Sequence, residues 1–317
     1  SAIVTLGSNN LLNKGTDSVF TAVVDFSEIG TGKPGVSGDL IKIDINPSTT
    51  DATGVSSGSI IRASGSSTSP GARLFKSFPS VVVGNLPSTG LEDGRLMRFK
   101  IAADSHGDIG VGKLAFNIQG HKYTSGQVDL YAYTDASYSS PVSGFFAGGA
   151  VGTGQISGFG APVAVILSKP LVVPKGGVRY FELRDSGKDP GIVNGTNALT
   201  VRLLGDEVYG GVETFSTMKE KGNFVWSPNS FPDSLGTSGF THDDWTNGHG
   251  IPGLPPSGLS FTRFGGGGST SETGDIGSGV YTSGTPTLGG NASGTNTVGI
   301  SINKQGDKVY GSGTIPV

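Results

Sequence analysis

The sequence predicts an all-β protein, built as two β-sandwich units of the Ig-like type followed by a C-terminal tail rich in glycine, serine and threonine. Three observations predict this fold class. Apolar and polar residues alternate with a period of two in many short segments, as they do in strands with one buried face. Helical periodicity of comparable strength is absent from the sequence. Glycine supplies 55 of the 317 residues without a three-residue period, which indicates many turns.

The predicted strands follow one another at short intervals, separated by clusters of Gly, Pro, Asn and Asp that favour turns. Two lie near the amino terminus, at residues 20–26 and 41–45. Seven more are predicted at residues 97–101, 114–118, 128–132, 163–167, 178–183, 199–203 and 224–226. In the strand at 178–183 we expect Glu182 to point to solvent.

A composition break at residues 85–90 divides the predicted units. We expect a first β unit over residues 1–85, an Ig-like β-sandwich over 86–264, and a glycine-rich extension that carries an assembly strand over 265–317. Residues 144–160 and 229–258 are predicted to be loops, because they are too long for simple hairpin turns. Loops of that length usually form functional sites or contacts.

The tail is the most informative segment for function. It has little apolar surface to offset a backbone ordering cost of roughly 1–2 kcal/mol per residue. Its one patterned piece alternates Val298, Ile300 and Ile302 with Gly and Ser, and it predicts a hairpin in which residues 297–303 pair with 308–314, including Val309. A lone hairpin is marginally stable in water, so we expect it to complete a sheet edge, either of the same molecule or of a neighbour.

Composition and charge disfavour several classes of function. A formal charge of -3 and a pI near 5.8, with no basic cluster, argue against nucleic acid as a partner. No apolar run approaches the length of a membrane-spanning helix. The lack of cysteine removes disulfides, thiolate catalysis and cysteine-ligated metals. With only 15% charged residues, Ser, Thr, Asn and Gly must cover much of the surface, which suits a secreted, extracellular or cell-surface protein.

Several segments carry a family resemblance. They are residues 73–79 (RLFKSFP), 86–89 (LPST), 96–104 (LMRFKIAAD), 130–135 (LYAYTD), 224–227 (FVWS), 244–248 (DWTNG) and 253–255 (GLP). As a set they resemble secreted β-sandwich surface proteins of uncultivated, ultra-small candidate-phylum bacteria, over roughly residues 70–262. The resemblance implies a cell-surface or appendage role and supplies no catalytic residues. The glycine-rich tail departs from the pattern, which suggests a specialised, assembling version.

Two groups of side chains are candidate metal ligands. Asp93, Asp104 and Asp108 flank the predicted strand at 97–101, and clustered loop carboxylates suit calcium. The alternative, which we favour, is that these residues cap turns. Histidines and carboxylates concentrate only at His242, Asp243, Asp244 and His249. Zinc would need three such ligands to converge, so we favour a solvated loop there and expect no cofactor apart from the calcium candidate.

Two short motifs match known signals without the context that those signals need. Residues 86–90 read LPSTG, the sortase signal, but more than 200 residues follow where a short apolar and basic end is required, so we interpret the match as a turn. Residues 107–113 fit GxxxxGK, the start of a phosphate-binding loop. Leu114 stands where a Ser or Thr is needed, and the next segment alternates like a strand. We therefore do not expect nucleotide binding.

Four aromatic residues, Tyr131, Tyr133, Phe145 and Phe146, are candidate contacts for a glycan or for another subunit. Stacking on sugar rings would make the protein an adhesin or a carbohydrate-binding module. Cross-strand packing and subunit contact are the alternative that we favour. No catalytic residues are predicted, and sequence spacing does not determine whether two carboxylates lie about 5–10 Å apart as in a glycosidase.

These observations lead to one expected function. We expect a non-catalytic extracellular structural subunit that assembles with copies of itself into a pilus-like filament or a surface layer (S-layer). The donor strand would be the segment with Val298, Ile300, Ile302 and Val309, and residues 1–6 are a second candidate for pairing between subunits. The alternative function is a surface adhesin or carbohydrate-binding protein with a glycan or host-surface partner.

Overall fold

The structure is a computed structural model. It describes residues 4–6, 11–13, 15–21, 23, 25, 27–65, 70–87, 93–120, 126–146, 148–158, 160–186, 198–231, 239–264, 296–304 and 307–315. Strands dominate these residues, and the prediction of an all-β protein is confirmed. The described part of the chain contains one α-helix, α1 (Phe215–Lys221). No helix among the described residues is long and apolar enough to span a bilayer.

Residues before Pro79 contribute four short strands. They are β1 (Leu40–Ile41), β2 (Asp51–Thr53), β3 (Ile60–Arg62) and β4 (Ala72–Arg73). β1 pairs with β4 and β2 pairs with β3, in separate two-stranded sheets. A 3-10 turn (Pro47–Thr49) precedes β2, and the Asn46 side chain caps it by accepting a hydrogen bond from the Ser48 amide at 3.1 Å.

The prediction of two strands near the amino terminus is wrong for the residues that the structure describes. Residues 17–21, 23 and 25 form no strand, and Val23 is 83% exposed. Of residues 41–45 only Ile41 joins a strand, while Ile43 and Ile45 are exposed. Alternation of apolar and polar residues indicates that a segment could form a strand with one apolar face. It does not indicate whether a second layer of the protein covers that face. Of the candidate pairing segment 1–6, residues 4–6 form no strand and 1–3 lie outside the described residues.

The β structure from Pro79 to Phe264 is one large antiparallel sheet of eleven strands. Its strands are β5 (Pro79–Gly84), β6 (Arg95–Ala103), β7 (Ile109–Gly120), β8 (Gly126–Tyr133), β9 (Ala150–Ile156), β10 (Pro162–Val173), β11 (Val178–Asp185), β12 (Ala198–Leu203), β13 (Phe224–Ser227), β14 (Thr246–Asn247) and β15 (Leu259–Phe264). The hydrogen-bonded order is β5, β6, β11, β8, β9, β10 and β7. Beyond β7 the sheet divides, because one part of β7 pairs with β13 and then β14, while another part pairs with β12 and then β15.

The sheet curls so that β6 and β11 pack against β7 across an apolar core. Phe99 on β6 stacks on Phe181 of β11 with ring centroids 5.0 Å apart, and it lies 6.0 Å from Phe116 on β7. All three side chains are fully buried. Alternate residues of the long strands supply most of the remaining core, as their two-residue period requires.

The two ends of the sheet come together in a near-closed form. The Val81 amide in β5 donates to the Pro252 carbonyl, in the segment after β14, at 2.9 Å. Phe75 and Phe78, just before β5, pack on Trp226 of β13, each with a centroid distance of 5.2 Å. The edge strand β5 is therefore covered from the other end of the sheet.

All seven strands predicted between residues 97 and 226 are present, within longer elements. The predictions of loops at 144–160 and 229–258 are corrected, since the first segment contains β9 and the second contains β14 and the buried Trp245. β9 lacks apolar alternation because Gly152 and Gly154 occupy positions where a Cβ atom would lie 2.7 Å from valine side chains of β10. The alternation pattern also does not predict β5, β15 or α1.

Strand β5 lies before the predicted boundary at residue 85, and it pairs along its whole length with β6, which lies after that boundary. The main sheet therefore includes residues of both predicted units. The division of residues 1–264 into two Ig-like sandwiches stays a prediction.

The C-terminal extension contains a hairpin where one is predicted. β16 (Asn296–Lys304) and β17 (Asp307–Ile315) pair antiparallel over nine residues and form a two-stranded sheet of their own. The register sets Val298, Ile300 and Ile302 opposite residues 313, 311 and 309. Residues 265–295, between this hairpin and the main sheet, lie outside the described residues.

Candidate functional site

A buried carboxylate lies at the centre of the candidate site. Glu182 on β11 has no exposed side-chain surface, and in the register it sits opposite Arg98 of β6 and Tyr131 of β8. The two-residue period places Glu182 on the face of the sheet away from Phe181 and the core. The prediction that Glu182 points to solvent is nevertheless wrong, because other polar side chains cover that face.

Three guanidinium groups surround this carboxylate. Arg98 Nε donates to Glu182 Oε2 at 2.5 Å, and Arg95 Nε lies 3.2 Å from the same oxygen. Arg184 Nε donates to Glu182 Oε1. A fully buried carboxylate is rare unless it is paired, and here both oxygens have cationic partners.

Tyrosines close over the arginines. The guanidinium carbon of Arg98 lies 3.7 Å from the ring centroid of Tyr138, and that of Arg184 lies 4.4 Å from the ring centroid of Tyr131. Arg184 also donates to the Tyr133 hydroxyl at 2.8 Å. Contacts of a cation over an aromatic ring contribute about 0.5–2 kcal/mol each. We call this set the arginine–tyrosine face; it comprises Glu182, Arg95, Arg98, Arg184, Tyr131, Tyr133 and Tyr138.

Tyr138 reaches this face from the loop that follows β8. Its backbone takes a left-handed conformation with φ 57°. Asp135 holds the loop by accepting from the Ser137, Ser139 and Ser140 amides at 3.0, 3.2 and 2.6 Å. The Ser137 hydroxyl also donates to Asp135 and is the main cause that holds the pKa of this carboxyl below its usual range. Burial raises the pKa of Tyr138 to about 12.

The arrangement joins several arginines to carboxylates. Both oxygens of Glu182 have guanidinium partners. Arg95 pairs in addition with Asp93 at 3.1 Å. The three arginines of the face thus have Glu182 and Asp93 as ion-pair partners. Arginine and tyrosine are also the residues that most often dominate the binding energy of interfaces.

The four predicted glycan or subunit contacts do not form one platform. Tyr131 and Tyr133 belong to the arginine–tyrosine face, where Tyr133 is only 6% exposed. Phe145 packs against the core, and the Lys169 amine lies 4.9 Å from its ring centroid. Phe146 is 47% exposed. Packing within the subunit therefore accounts for Tyr133 and Phe145, whereas Phe146 keeps an exposed ring.

The structure does not bring the three calcium candidates together in one ligand set. Their carboxylates have separate partners: Asp93 pairs with Arg95 and Arg263, Asp104 accepts from the amides of Phe78 and His106, and Asp108 accepts from the amide of Lys175. The turn-capping interpretation agrees with the contacts of Asp104 and Asp108. Across the described residues, no group of three or more His, Asp or Glu side chains is arranged to hold a metal ion.

The segment at 242–249 differs from the expected solvated loop. His242 is buried and stacks on Phe231 with ring centroids 4.6 Å apart. Asp244 is buried as well, and it accepts from the hydroxyls of Ser227 and Ser230 at 2.7 Å each. Asp244 therefore anchors this segment to Ser227 of β13.

The two short motifs form other structures. Residues 109–113 lie in β7, and Lys113 Nζ donates to the Lys219 carbonyl in the last turn of α1 at 2.5 Å. A phosphate-binding loop would instead lead into a helix whose amino end faces the phosphate. Of the LPSTG segment, only Leu86 and Pro87 lie within the described residues.

Sequence patterns alone do not identify Glu182, Arg98 and Arg184 as a site. The available signal is a pair of opposite charges at polar positions of two predicted strands: Arg98 in the strand at 97–101 and Glu182 in the strand at 178–183. Such charges become informative only when the two strands are known to pair, because cross-strand neighbours then face each other.

No family model matches the chain, and no curated protein sequence matches it. The resemblance to secreted surface proteins of candidate-phylum bacteria therefore stays a prediction.

Proposed function

We propose that the protein is a non-catalytic extracellular structural subunit that self-assembles into a filament or a surface layer by β-strand addition. The C-terminal hairpin carries this proposal. β16 and β17 pair with each other over nine residues and with no other strand that the structure describes. An isolated two-stranded hairpin is marginally stable in water, and a third strand or a packing surface stabilises it.

Strand addition would use backbone groups that the hairpin leaves open. Each strand of a two-stranded sheet has one edge whose N–H and C=O groups point away from the other strand. Pairing with a further strand contributes roughly 0.5–1.5 kcal/mol net per hydrogen bond. The register, which sets Ile302 opposite Val309, also matters for specificity, since a slip by one residue exchanges the two faces of a strand.

The distribution of exposed apolar side chains supports contact with other molecules. Of the 18 large apolar side chains that are exposed among the described residues, 14 lie between Val4 and Ile61. Val19 and Val23 are 92% and 83% exposed. Apolar surface concentrated in one region of a protein marks interaction sites. We infer that this amino-terminal region contributes to contacts between subunits, in addition to the hairpin.

Deletion of residues 265–317 tests the proposal. The deletion removes β16 and β17 but none of the eleven strands of the main sheet, so the remaining chain should keep its β-rich circular dichroism spectrum. We expect the full chain to form large assemblies in negative-stain electron microscopy and light scattering. We expect the deletion variant to remain a folded monomer. A folded deletion variant that assembles as the full chain does would refute the proposal.

A matched pair of point variants sharpens this test. Ile300→Lys puts a charge in place of one of the alternating apolar residues of β16. Ser301→Lys puts the same charge at the next position, and successive positions of a strand belong to opposite faces. We expect Ile300→Lys to abolish assembly and Ser301→Lys to weaken it less. Equal effects of the two variants would show that net charge, and not burial of the apolar face, controls assembly.

A second candidate function, a surface adhesin for glycans, is favoured by one observation. The Arg184 guanidinium stacked on Tyr131 presents a cation and an aromatic ring together, which suits an acidic sugar. Binding of the monomeric deletion variant to a glycan array would support this function, provided that Tyr131→Ala abolishes it. As a control, Val208→Ala changes an exposed apolar residue outside the face and should leave binding unchanged.

A further inference from the structure

The main sheet has one long edge that no described strand covers. Of its three terminal strands, β5 is bonded through Val81 to Pro252, and β14 has only two residues. β15 has six residues, and among the strands that the structure describes it pairs only with β12. Within the described part of the chain, the outer side of β15 is therefore open to a further strand.

The sequence of β15 carries few of the features that protect an exposed edge. Exposed edges in native proteins usually carry a lysine, a proline or a bulge that prevents pairing with another chain. β15 contains neither lysine nor proline, and its register with β12 runs over six residues without a shift. Its one charged residue, Arg263, is 2% exposed and donates to Asp93 and to the Arg95 carbonyl.

We propose that the outer edge of β15 in one copy of the protein accepts the β16–β17 hairpin of a second copy. The inference rests on the proposed function and names the surface that receives the donor strand. Both elements lack a further partner among the strands described within one chain: the hairpin forms its own sheet, and β15 ends the main sheet. Their lengths are compatible, since a nine-residue strand spans a six-residue edge.

The chain between the two elements permits this exchange. The 31 residues from 265 to 295 separate the end of β15 from the start of β16, and a chain of that length spans at most about 110 Å when fully extended. That maximum length would allow the hairpin to reach a neighbouring subunit of ordinary size. Pairing would extend the main sheet of the acceptor by the two strands of the donor.

The proposed exchange also determines the type of symmetry. Each copy offers one hairpin and one β15 edge, and these two surfaces are different, so the contact is head-to-tail. A head-to-tail contact closes into a ring if its rotation permits closure, and otherwise it continues as an open filament. The stoichiometry is one hairpin for each acceptor edge in either case.

Single-cysteine variants test this contact, because the chain has no cysteine of its own. Ser260→Cys labels β15, Ser301→Cys labels β16 and Ser312→Cys labels β17. Each full-length variant is mixed with another before assembly and then oxidised mildly. We expect disulfide-linked dimers when Ser260→Cys is mixed with one of the two hairpin variants, Ser301→Cys or Ser312→Cys. The variant that cross-links identifies the hairpin strand next to β15, because the other strand lies about 9–10 Å away, too far for a disulfide. Ser157→Cys, an exposed position after β9, replaces Ser260→Cys in the control mixtures and should give no linked dimer.

Backbone hydrogen exchange provides a second measurement that needs no cysteine. Amides of β15 that face outward should exchange at least about tenfold more slowly in assembled wild-type protein than in the unassembled Ile300→Lys variant. Assembly without this protection and without cross-links above the Ser157→Cys control would overturn the β15 contact while leaving the proposed function intact. A full chain that remains monomeric would overturn both.

Discussion

Glu182 lies directly opposite Arg98 in the register of β11 and β6, and Arg98 Nε donates a 2.5 Å hydrogen bond to its carboxylate. The Glu182 side chain has no exposed surface, and that of Arg98 is 12% exposed. Arg95 and Arg184 contact the same carboxylate. One buried anion is thus the shared partner of three arginines from two strands, so its loss would leave Arg98 and Arg184 without this ion pair.

We predict that Glu182→Gln lowers the free energy of unfolding by roughly 3–5 kcal/mol, because it breaks a buried ion pair while the arginines remain. The matched control is Glu213→Gln, which breaks a partly exposed pair with Lys221 at 2.7 Å and should cost about 0–1 kcal/mol. Denaturant unfolding of the monomeric deletion variant, with and without each substitution, measures both values. Similar losses for the two substitutions would contradict the prediction that the buried Glu182 cluster stabilises the fold more than a partly exposed ion pair does.

The closure of the sheet depends on Gly253. This residue has φ +80°, and a Cβ atom there would lie 1.8 Å from the carbonyl oxygen of Val81 in β5. Gly253→Ala must therefore separate the 251–254 segment from the edge of β5. We expect it to lower the free energy of unfolding by roughly 3 kcal/mol, the sum of backbone strain and overpacking.

Gly250→Ala is a matched control for this prediction. Gly250 has a similar φ of +76°, but no atom lies within 4 Å of the Cβ position. Its substitution should cost only the backbone strain, roughly 1–2 kcal/mol. Thermal or denaturant unfolding compares the two variants, and equal costs would contradict the proposed close approach of Gly253 to β5.

The apolar alternation predicts strands well where both layers of the core come from the same chain. The strands around Phe99, Phe116 and Phe181 were all identifiable, because their apolar residues pack on each other. The segment around Val23 has the same period, but no core covers it in the described residues. The two-residue alternation can be recognised within one strand, whereas the burial of its apolar residues requires a second layer that packs on them.

The candidate site is less predictable than the fold. The alternation in β11 predicts that Glu182 faces solvent. Its burial depends on arginines elsewhere in the sequence, and Arg95 lies 87 residues before it (182 − 95). Strand β9 is not predicted for a related reason. Gly152 and Gly154 interrupt its apolar alternation, and Val163 and Val165 of β10 fill the space that side chains at these positions would occupy. In both cases the determining contact is between strands, and strand pairing is not visible in a single sequence.

The buried phenol of Tyr138 predicts a dependence on pH. Burial raises its pKa from 10.0 to about 12, so the folded protein keeps the proton in a range where the unfolded chain loses it. The stabilisation is therefore complete below pH 10 and decreases as the pH rises through 12. Tyr138→Phe should remove this contribution, and its free energy of unfolding should fall less steeply over that range.

Ultraviolet titration of tyrosinate measures the effect directly. The difference between the titration curves of the wild type and Tyr138→Phe should contain one tyrosine with a midpoint near 12. Asp135→Ala, which releases the loop that carries Tyr138, should move that midpoint back toward 10. A midpoint near 10 in the wild type would contradict the burial of the Tyr138 phenol.

The amino-terminal contribution to assembly can be separated from that of the hairpin. Ile60 and Ile61 in β3 are 64% and 61% exposed, so they contribute little to the stability of the monomer. We predict that Ile60→Thr with Ile61→Thr changes the free energy of unfolding by no more than about 0.5 kcal/mol. Burial of each isoleucine in a subunit contact would contribute about 1.5–3 kcal/mol, so the critical concentration for assembly should rise at least about tenfold.

Light scattering over a concentration series measures this critical concentration. Val208→Thr is the control, because Val208 is 74% exposed but lies outside the amino-terminal region, and it should change neither stability nor assembly. If the double variant in β3 assembles at the wild-type concentration, the amino-terminal apolar residues do not form a subunit contact at β3. The contribution of the hairpin is tested independently by Ile300→Lys.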